Sequence, residues 1–256
     1  MWTPDALASE LRAYRRDVWR VVETQYRAST MRITDTLEEQ AILEDLLEES
    51  KPALPPSCEG LHYLLATPFR YAPYPHGSRF RRAHQPEGVF YASETVETAL
   101  AETAFHRLLF FAESPGTKLP ANPVEHTAFS VPCATDRQID LTAAPLCQDR
   151  ALWTDPVDYA PCHDLADAAR AARVEAIRYE SVRDRGRDDR GWGVNLALLS
   201  PEAFAARQPT ERQTWQVFPR RHAVQAWCDG PFLRLEFTRD LFSRDPRLAA
   251  LDRRAP

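Results

Sequence analysis

The stretch His76–Phe111, HGSRFRRAHQPEGVFYASETVETALAETAFHRLLFF, predicts the part of the fold around which the rest of the chain is arranged. It runs from an arginine-rich turn through a short apolar strand, Gly88–Ala92, into a long helix. A cation, an aromatic ring and a carboxylate follow one another on these three elements. They are the first candidates for a functional site: Arg79, Tyr91 and Glu102.

The helix of this stretch is predicted to begin after the N-cap Ser93 and to continue to about Ala112. Its apolar residues lie on more than one side, which is typical of a buried helix. Glu102 lies on one of those sides, and a buried carboxylate needs a partner because an unpaired buried charge is costly. Spacing alone favours a structural salt bridge with an arginine, and a catalytic role stays open beside it.

Two amphipathic helices are predicted before this stretch. The first covers about Pro4–Ala28 and the second Thr36–Glu49, where apolar and acidic residues alternate. Pro52 and two further prolines then end the helical pattern. We therefore divide the chain into an N-terminal helical extension, 1–56, and a main domain, 57–256. The extension is expected to dock on the main domain or on a partner.

Short strands are predicted through most of the remaining chain. Leu61–Ala66 and Phe69–Tyr71 precede the opening stretch, and a helix is predicted at Tyr159–Arg173. The later predicted strands are Glu125–Val131, Arg137–Leu141, Ala176–Tyr179, Val194–Leu199, Thr214–Phe218, Ala223–Cys228 and Phe232–Phe237. Helices and strands do not alternate regularly enough for a doubly wound sheet, so the prediction is an α+β fold with a mixed sheet core and flanking helices.

Composition excludes several classes of function. The net charge of -5 and the pI near 5.8 argue against a protein that binds nucleic acid through bulk positive charge. No apolar run reaches the roughly 20 residues that span a bilayer, and no signal peptide is visible, so we expect a cytoplasmic protein without membrane contact. The five cysteines form no C-x-x-C pair, so neither disulfides nor a metal site is predicted.

The positive charge of the chain is almost entirely arginine, since Lys51 and Lys118 are its only lysines. Arginine suits bidentate contact with phosphate or carboxylate, although a bias in genome composition gives the same skew. The sequence has no G-x-G-x-x-G, G-x-x-x-x-G-K-[ST], H-E-x-x-H or G-x-S-x-G motif. The sequence therefore does not support a dinucleotide-binding Rossmann site, a P-loop, a zinc-protease site or an α/β-hydrolase site.

A series of short motifs resembles the RES domain family, whose name comes from its Arg, Glu and Ser positions. The motifs occur in the family's order and cover roughly residues 60 to 240. They are Phe69-Arg70-Tyr71, Gly77-Ser78-Arg79-Phe80, Val89-Phe90-Tyr91-Ala92-Ser93, Glu97-Thr98-Ala99-Leu100-Ala101-Glu102, Ile177-Arg178-Tyr179-Glu180-Ser181-Val182-Arg183 and Gly193-Val194-Asn195-Leu196-Ala197-Leu198. The family's usual Gly-Gly-Arg is His-Gly-Ser-Arg in this chain.

The resemblance implies a fold like that of ADP-ribosyltransferase toxins. It also implies a bacterial toxin that cleaves the nicotinamide–ribose bond of NAD by hydrolysis or phosphorolysis. NAD would be the substrate and no cofactor would be needed, while inorganic phosphate and a cognate antitoxin protein would be the further partners. The alternatives are ADP-ribose transfer to a protein target and a non-catalytic binding module.

The same resemblance implies roles for individual residues. Glu102 would stabilise the positive charge that develops on the ribose, as carboxylates do in other glycosyl transfers. Ser181 would bind the substrate or orient Glu102, and Tyr91 would pack on the nicotinamide or ribose. The remaining NAD-binding candidates are Arg70, Tyr71, Arg79 and Asn195, with either arginine holding the pyrophosphate.

Overall fold

An eight-stranded mixed sheet organises the chain. The computed structural model describes residues 2–24, 33–70, 75–186, 191–230 and 232–253. The strands are β1 (Arg12–Glu23), β2 (Phe90–Ser93), β3 (Val124–Asp140), β4 (Ala176–Glu180), β5 (Val194–Leu198), β6 (Glu211–Pro219), β7 (Ala223–Asp229) and β8 (Phe232–Thr238). Their order is β1-β2-β5-β4-β3-β6-β7-β8, and β3 and β4 pair in parallel while the other pairs are antiparallel.

Six α-helices flank this sheet within the described residues, and the predicted α+β class is confirmed. They are α1 (Pro4–Ala8), α2 (Leu37–Glu49), α3 (Tyr63–Arg70), α4 (Val96–Glu113), α5 (Arg150–Trp153) and α6 (Ala160–Ala171). Short 3₁₀ helices join several of them, and the last, Pro246–Arg253, packs against α4. The likeness to ADP-ribosyltransferase toxins stays a prediction.

Strand β3 connects the two halves of the sheet. One edge of β3 pairs with β1 from Arg12 to Glu23, and the other edge pairs with β6 and, near its end, with β4. Strand β1 also pairs with β2 at Trp19 and Ser93, so the pairings β1-β2-β5-β4-β3-β1 close a circuit. The two strands predicted at Glu125–Val131 and Arg137–Leu141 are one continuous element.

The helix predicted at Pro4–Ala28 is wrong. Only Pro4–Ala8 is helical, and the following Arg12–Glu23 is strand β1; residues 25 to 28 lie outside the described ranges. Tyr14 and Val18 are buried four residues apart, a spacing that fits one face of a helix and one face of a strand equally well. The valines and aromatic residues of this segment favour the strand.

Helix α2 forms where it was predicted. Thr36 caps it, since its side chain accepts a hydrogen bond from the backbone N–H of Glu39, whose carboxylate in turn accepts one from the backbone N–H of Thr36. No side chain of this helix is buried. The division at residues 56 and 57 stays a prediction, although β1 belongs to the same sheet as β2 and β3.

The strands predicted at Leu61–Ala66 and Phe69–Tyr71 are also wrong. Tyr63–Arg70 is helix α3, and its buried residues Leu65, Ala66 and Phe69 follow helical spacing. Tyr71 lies outside the described residues. Gly88 lies against this helix: a Cβ at that position would come within 2.1 Å of the Pro68 carbonyl oxygen.

Helix α4 is buried, as predicted, but it begins later. Its N-cap is Thr95, whose hydroxyl accepts from the backbone N–H of Thr98, whereas Ser93 is the last residue of β2. Phe105 and Leu108 are completely buried in a core with Trp215 of β6. The remaining predictions of α6, β4, β5 and the β6-β7-β8 meander are confirmed.

The pairing of β1 within the sheet leads to a stability prediction. Val18 is fully buried, so Val18→Ala is expected to lower the free energy of unfolding by about 2 kcal/mol in chemical denaturation. Asp17→Asn, at the exposed neighbouring position, is the matched control and should stay within about 0.5 kcal/mol of wild type. Equal effects of the two substitutions would contradict the burial of this strand face.

Candidate active site

A cleft of about 850 Å³ opens beside helix α4. Residues of β1, the turn before Phe80, β2, α4, β3 and the ends of β4 and β5 line it, together with the C-terminal Arg247. Four of the predicted site residues line it, namely Arg79, Tyr91, Glu102 and Asn195, and the buried Ser181 lies behind Glu102 and hydrogen-bonds to it. The sheet thus brings together positions that are far apart in the sequence.

Two hydrogen bonds hold the carboxylate of Glu102. Ser181 Oγ donates to Glu102 Oε1 at 2.7 Å, and Asn195 Nδ2 donates to the same oxygen at 2.6 Å. No hydrogen bond reaches Oε2 from the residues that the structure describes. The salt bridge with an arginine, which spacing alone favoured, is not the arrangement found at Glu102 within those residues.

Ser181 is oriented by the turn that follows β4. Its N–H donates to the Gly193 carbonyl at 2.7 Å, and its hydroxyl oxygen accepts from the backbone N–H groups of Arg183 and Asp184 at 3.2 and 3.0 Å. Because that oxygen accepts two bonds, its one proton is available for Glu102. The serine is completely buried, so water does not compete for the proton.

Asn195 is fixed by its position in β5. It lies opposite Ser93 of β2 and Tyr179 of β4 in the sheet. Ser93 Oγ donates to Asn195 Oδ1 at 2.7 Å, which requires the amide nitrogen to face the other way, toward Glu102. The hydroxyl of Ser93 thus orients Asn195 instead of capping α4.

Tyr91 faces the cleft from the middle of β2. Its hydroxyl accepts from the backbone N–H of Phe80 at 2.9 Å and shares a hydrogen bond of 2.8 Å with Ser78 Oγ. Burial raises the pKa of Tyr91 above its ordinary value, so the phenol stays protonated. The ring therefore offers the cleft an apolar face while its hydroxyl fixes the turn that carries Arg79.

Arg79 is buried at the wall of the cleft. Its Nη1 donates to the Trp153 carbonyl and its Nη2 to the Asp155 carbonyl, both at 2.8 Å. The guanidinium also lies over the Tyr159 ring, 4.5 Å from the centroid. Carbonyl partners fix the position of the cation but leave its charge unneutralised, so it can attract an anionic ligand.

Arg70 does not share the cleft with Glu102. It ends helix α3, donates to the Pro52 carbonyl at 2.6 Å and pairs with Glu48 of α2. Its guanidinium therefore joins α3 to α2. The NAD-binding role of Arg70 stays a prediction, as does that of Tyr71, which lies outside the described residues.

Several arginines and histidines of the cleft were not among the site residues predicted from the sequence. The added cations are Arg20, Arg107, Arg183 and Arg247, and the added histidines are His76, His106 and His126. With Arg79, five arginines face three glutamates, Glu23, Glu102 and Glu113, so the lining carries excess positive charge. Arg183 ends the motif that contains Ser181, and His76, His106 and Arg107 belong to the stretch His76–Phe111, whereas the other three residues had no signal in the sequence.

His126 of β3 lies behind the cleft wall with its ring in one orientation. Nδ1 lies 2.9 Å from the Val124 carbonyl and Nε2 lies 3.2 Å from Arg107 Nη2. Since arginine can only donate, Nε2 accepts and Nδ1 carries the proton. Burial, together with the nearby Arg107 charge, lowers the pKa of His126 to about 4, so the ring is neutral near pH 7.

Comparison with known protein families gives one match. The RES domain matches residues 54–218 of the chain. The chain belongs to the RES domain family. The module is toxin-like, and it includes the triad of Glu102, Ser181 and Asn195. No match to a curated protein was found.

The RES match does not extend over the whole cleft. Arg20 of β1 and Arg247 of the C-terminal 3₁₀ helix line the cleft from outside residues 54–218. Segments on either side of the RES match therefore contribute charge to the candidate site.

Among the described residues, no helix is both long and apolar enough to cross a membrane.

The neutral state of His126 predicts a dependence of stability on pH. The unfolded chain takes up the proton near pH 6.5 and the folded chain only near pH 4, so stability is present above pH 6.5 and is lost as the pH falls toward 4. The shift corresponds to a loss of up to about 3 kcal/mol. His126→Gln should reduce the difference in unfolding free energy between pH 7 and pH 4.5.

The exposed His222 provides the control for that measurement. His222→Gln should retain the wild-type pH dependence in urea denaturation. The same slope in wild type and His126→Gln would contradict a neutral buried imidazole at position 126.

Proposed function

We propose that the protein cleaves the nicotinamide–ribose bond of NAD, with water or inorganic phosphate as the acceptor. The observation that carries the proposal is the carboxylate of Glu102, held at one oxygen by Ser181 and Asn195 inside a cleft with excess arginine. A dinucleotide brings both groups that such a cleft suits, an anionic diphosphate and a cationic nicotinamide riboside.

The chemistry needs a fixed negative charge. When the bond between ribose C1′ and the nicotinamide nitrogen breaks, its electron pair leaves with the ring, which becomes neutral nicotinamide. Positive charge then develops on the ribose, and a carboxylate placed beside it lowers the energy of that state. An oxygen of water, which then loses its proton, or of phosphate forms the new bond to C1′. Glu102 is the proposed catalytic carboxylate.

The other cleft residues have supporting roles in this proposal. Ser181 and Asn195 keep Glu102 in one orientation, so no reorganisation is required when charge develops. Tyr91 offers its ring to the nicotinamide or ribose. Arg79, whose charge is not neutralised by its carbonyl partners, would face the diphosphate.

A toxin role with a cognate antitoxin is part of the proposal and rests on the RES family alone. An enzyme that destroys NAD would arrest the growth of its own host. Such activity requires an inhibitor, and a protein that covers the cleft would supply one.

Expression of the wild-type chain should therefore deplete cellular NAD and stop growth; undiminished NAD during expression would count against this role.

Glu102→Gln tests the catalytic carboxylate. The amide keeps an oxygen that can accept from Ser181 and Asn195 but removes the charge, so we expect the melting temperature to stay within a few degrees and nicotinamide release from NAD to fall by about a hundredfold or more. Release is followed by chromatography, with and without phosphate. Glu97→Gln, on the same helix and outside the cleft lining, is the matched control.

The same assay separates the alternatives. Absence of nicotinamide release from folded wild-type protein under both conditions would contradict hydrolysis and phosphorolysis. Label transferred from NAD to protein would identify an ADP-ribosyltransferase, and binding of NAD without turnover would identify a binding module. Phosphate is the acceptor if it accelerates nicotinamide release and if the product is ADP-ribose with a phosphate on C1′ of the ribose that carried nicotinamide.

A further inference from the structure

A group of two arginines and one aspartate lies at the cleft, built partly from outside the RES match. Asp245 Oδ2 forms an ion pair with Arg183 Nη2 at 2.9 Å. Arg247 donates hydrogen bonds to both oxygens of the same carboxylate, from Nε to Oδ1 at 2.9 Å and from Nη2 to Oδ2 at 2.7 Å. Arg183 and Arg247 line the cleft, whereas Asp245 lies behind them.

The carboxylate of Asp245 is ionised although its side chain is completely buried. Burial by itself raises the pKa of a carboxyl, but the hydrogen bond from Arg247 and the charge of Arg183 outweigh that effect and hold the pKa of Asp245 below its usual value. One carboxylate cannot neutralise two guanidinium groups. The group therefore keeps one net positive charge at the cleft wall.

The two arginines differ in exposure. The Arg183 side chain is only 5% exposed and lies over the Phe105 ring at 3.5 Å, while the Arg247 side chain is 31% exposed, 5.7 Å from the same ring. Both donate to the Pro156 carbonyl, at 3.0 and 3.2 Å respectively. Arg183 is thus the inner support and Arg247 the cation that reaches the cleft.

The position of the group relative to the candidate catalytic carboxylate follows from α4. Phe105 lies three residues after Glu102, so the two side chains project from neighbouring turns of the same helix face. His106, the next residue, feels the charges of Glu102, Arg183 and Arg247. The Arg183 guanidinium lies over the Phe105 ring and therefore against the helical turn that follows Glu102.

The arrangement combines a buried structural contact with a partly exposed cation. The buried ion pair of Arg183 and Asp245 joins the turn after β4 to the start of the C-terminal 3₁₀ helix. Arg247 adds a second, partly exposed guanidinium to a carboxylate that already has a partner. Guanidinium groups held in one orientation by a buried carboxylate are well suited to bind phosphate oxygens.

We propose that Arg247, supported by Arg183 and positioned by Asp245, binds a phosphate group of a ligand held next to Glu102. The inference rests on the proposed function and names a substrate-binding residue from outside the RES match. The phosphate group belongs either to the diphosphate of NAD or to inorganic phosphate as the acceptor. Asp245 is a positioning residue in this proposal.

Arg247→Gln is the direct test, because glutamine retains a hydrogen-bond donor but not the charge. We expect the KM for NAD or the KM for phosphate to rise about tenfold to a hundredfold, and which of the two rises identifies the source of the phosphate group. Cleavage of nicotinamide riboside, which lacks phosphate, should stay within about twofold of wild type in water. The exposed Arg244→Gln is the matched control. Unchanged KM values for NAD and phosphate would overturn the inference.

A binding measurement keeps this test separate from the proposed function. ADP-ribose and inorganic phosphate are titrated calorimetrically into wild type and Arg247→Gln. If wild type releases no nicotinamide but its binding of either probe weakens about tenfold or more in the variant, the phosphate site holds and the proposed function fails. Equal binding of both probes by the two proteins, or no binding by wild type, overturns the phosphate site whatever the turnover.

Asp245→Asn tests the positioning role. Loss of the carboxylate should raise the same KM that Arg247→Gln raises while leaving kcat and nicotinamide riboside cleavage near wild type. A variant that loses stability without any change of KM in its folded fraction would assign Asp245 a structural role only. Should this variant fail to fold, the Arg247→Gln measurements still decide the proposal.

Discussion

The hydrogen bonds from Ser181 and Asn195 to one oxygen of Glu102 are the constraint on which the site depends. They join helix α4 to the turn after β4 and to strand β5, and Thr98 Oγ1 of α4 adds a hydrogen bond of 2.8 Å to Asp184 of the same turn. The Glu102 carboxylate is partly removed from water, and these two polar partners offset part of the cost of that burial. Each donor is oriented in turn by its own partners, so the carboxylate has a single well-defined position.

The cations of the cleft are also held in position by hydrogen bonds and ion pairs with other groups of the protein. Backbone carbonyls hold Arg79, the carboxylate of Glu23 pairs with Arg107, and Asp245 supports Arg183. Long arginine side chains lose considerable conformational entropy when a ligand orders them. Here much of that loss has occurred on folding, which leaves more of the interaction energy for a bound anion.

The sequence predicted the part of the site that lies on short motifs. Tyr91 and Glu102 follow each other on β2 and α4, and Ser181 and Asn195 occupy the ends of two neighbouring strands, so local pattern and family resemblance were sufficient. Arg70 lies outside the cleft lining because it pairs with Glu48, which belongs to a helix whose docking no local pattern specifies.

The failures in the fold have a related cause. Tyr14 and Val18 are spaced by four residues, which both helix and strand periods accept, and pairing with β3 decided between them. Helix α3 was not predicted, because a short run of apolar residues fits a helix and a strand equally well. Arg247 could not be found at all from sequence, since only the tertiary packing of the C-terminal 3₁₀ helix on α4 brings it to the cleft.

The cleft combines Trp19 of β1, the central residues of α4 and Arg247, positions that lie far apart along the chain. Contacts of such long sequence separation form late in folding, because the loops between them must close first. A nascent chain that has not yet emerged beyond position 247 therefore lacks Arg247, one of the five arginines that line the cleft. The complete set of cleft residues is therefore assembled only after synthesis has passed that point.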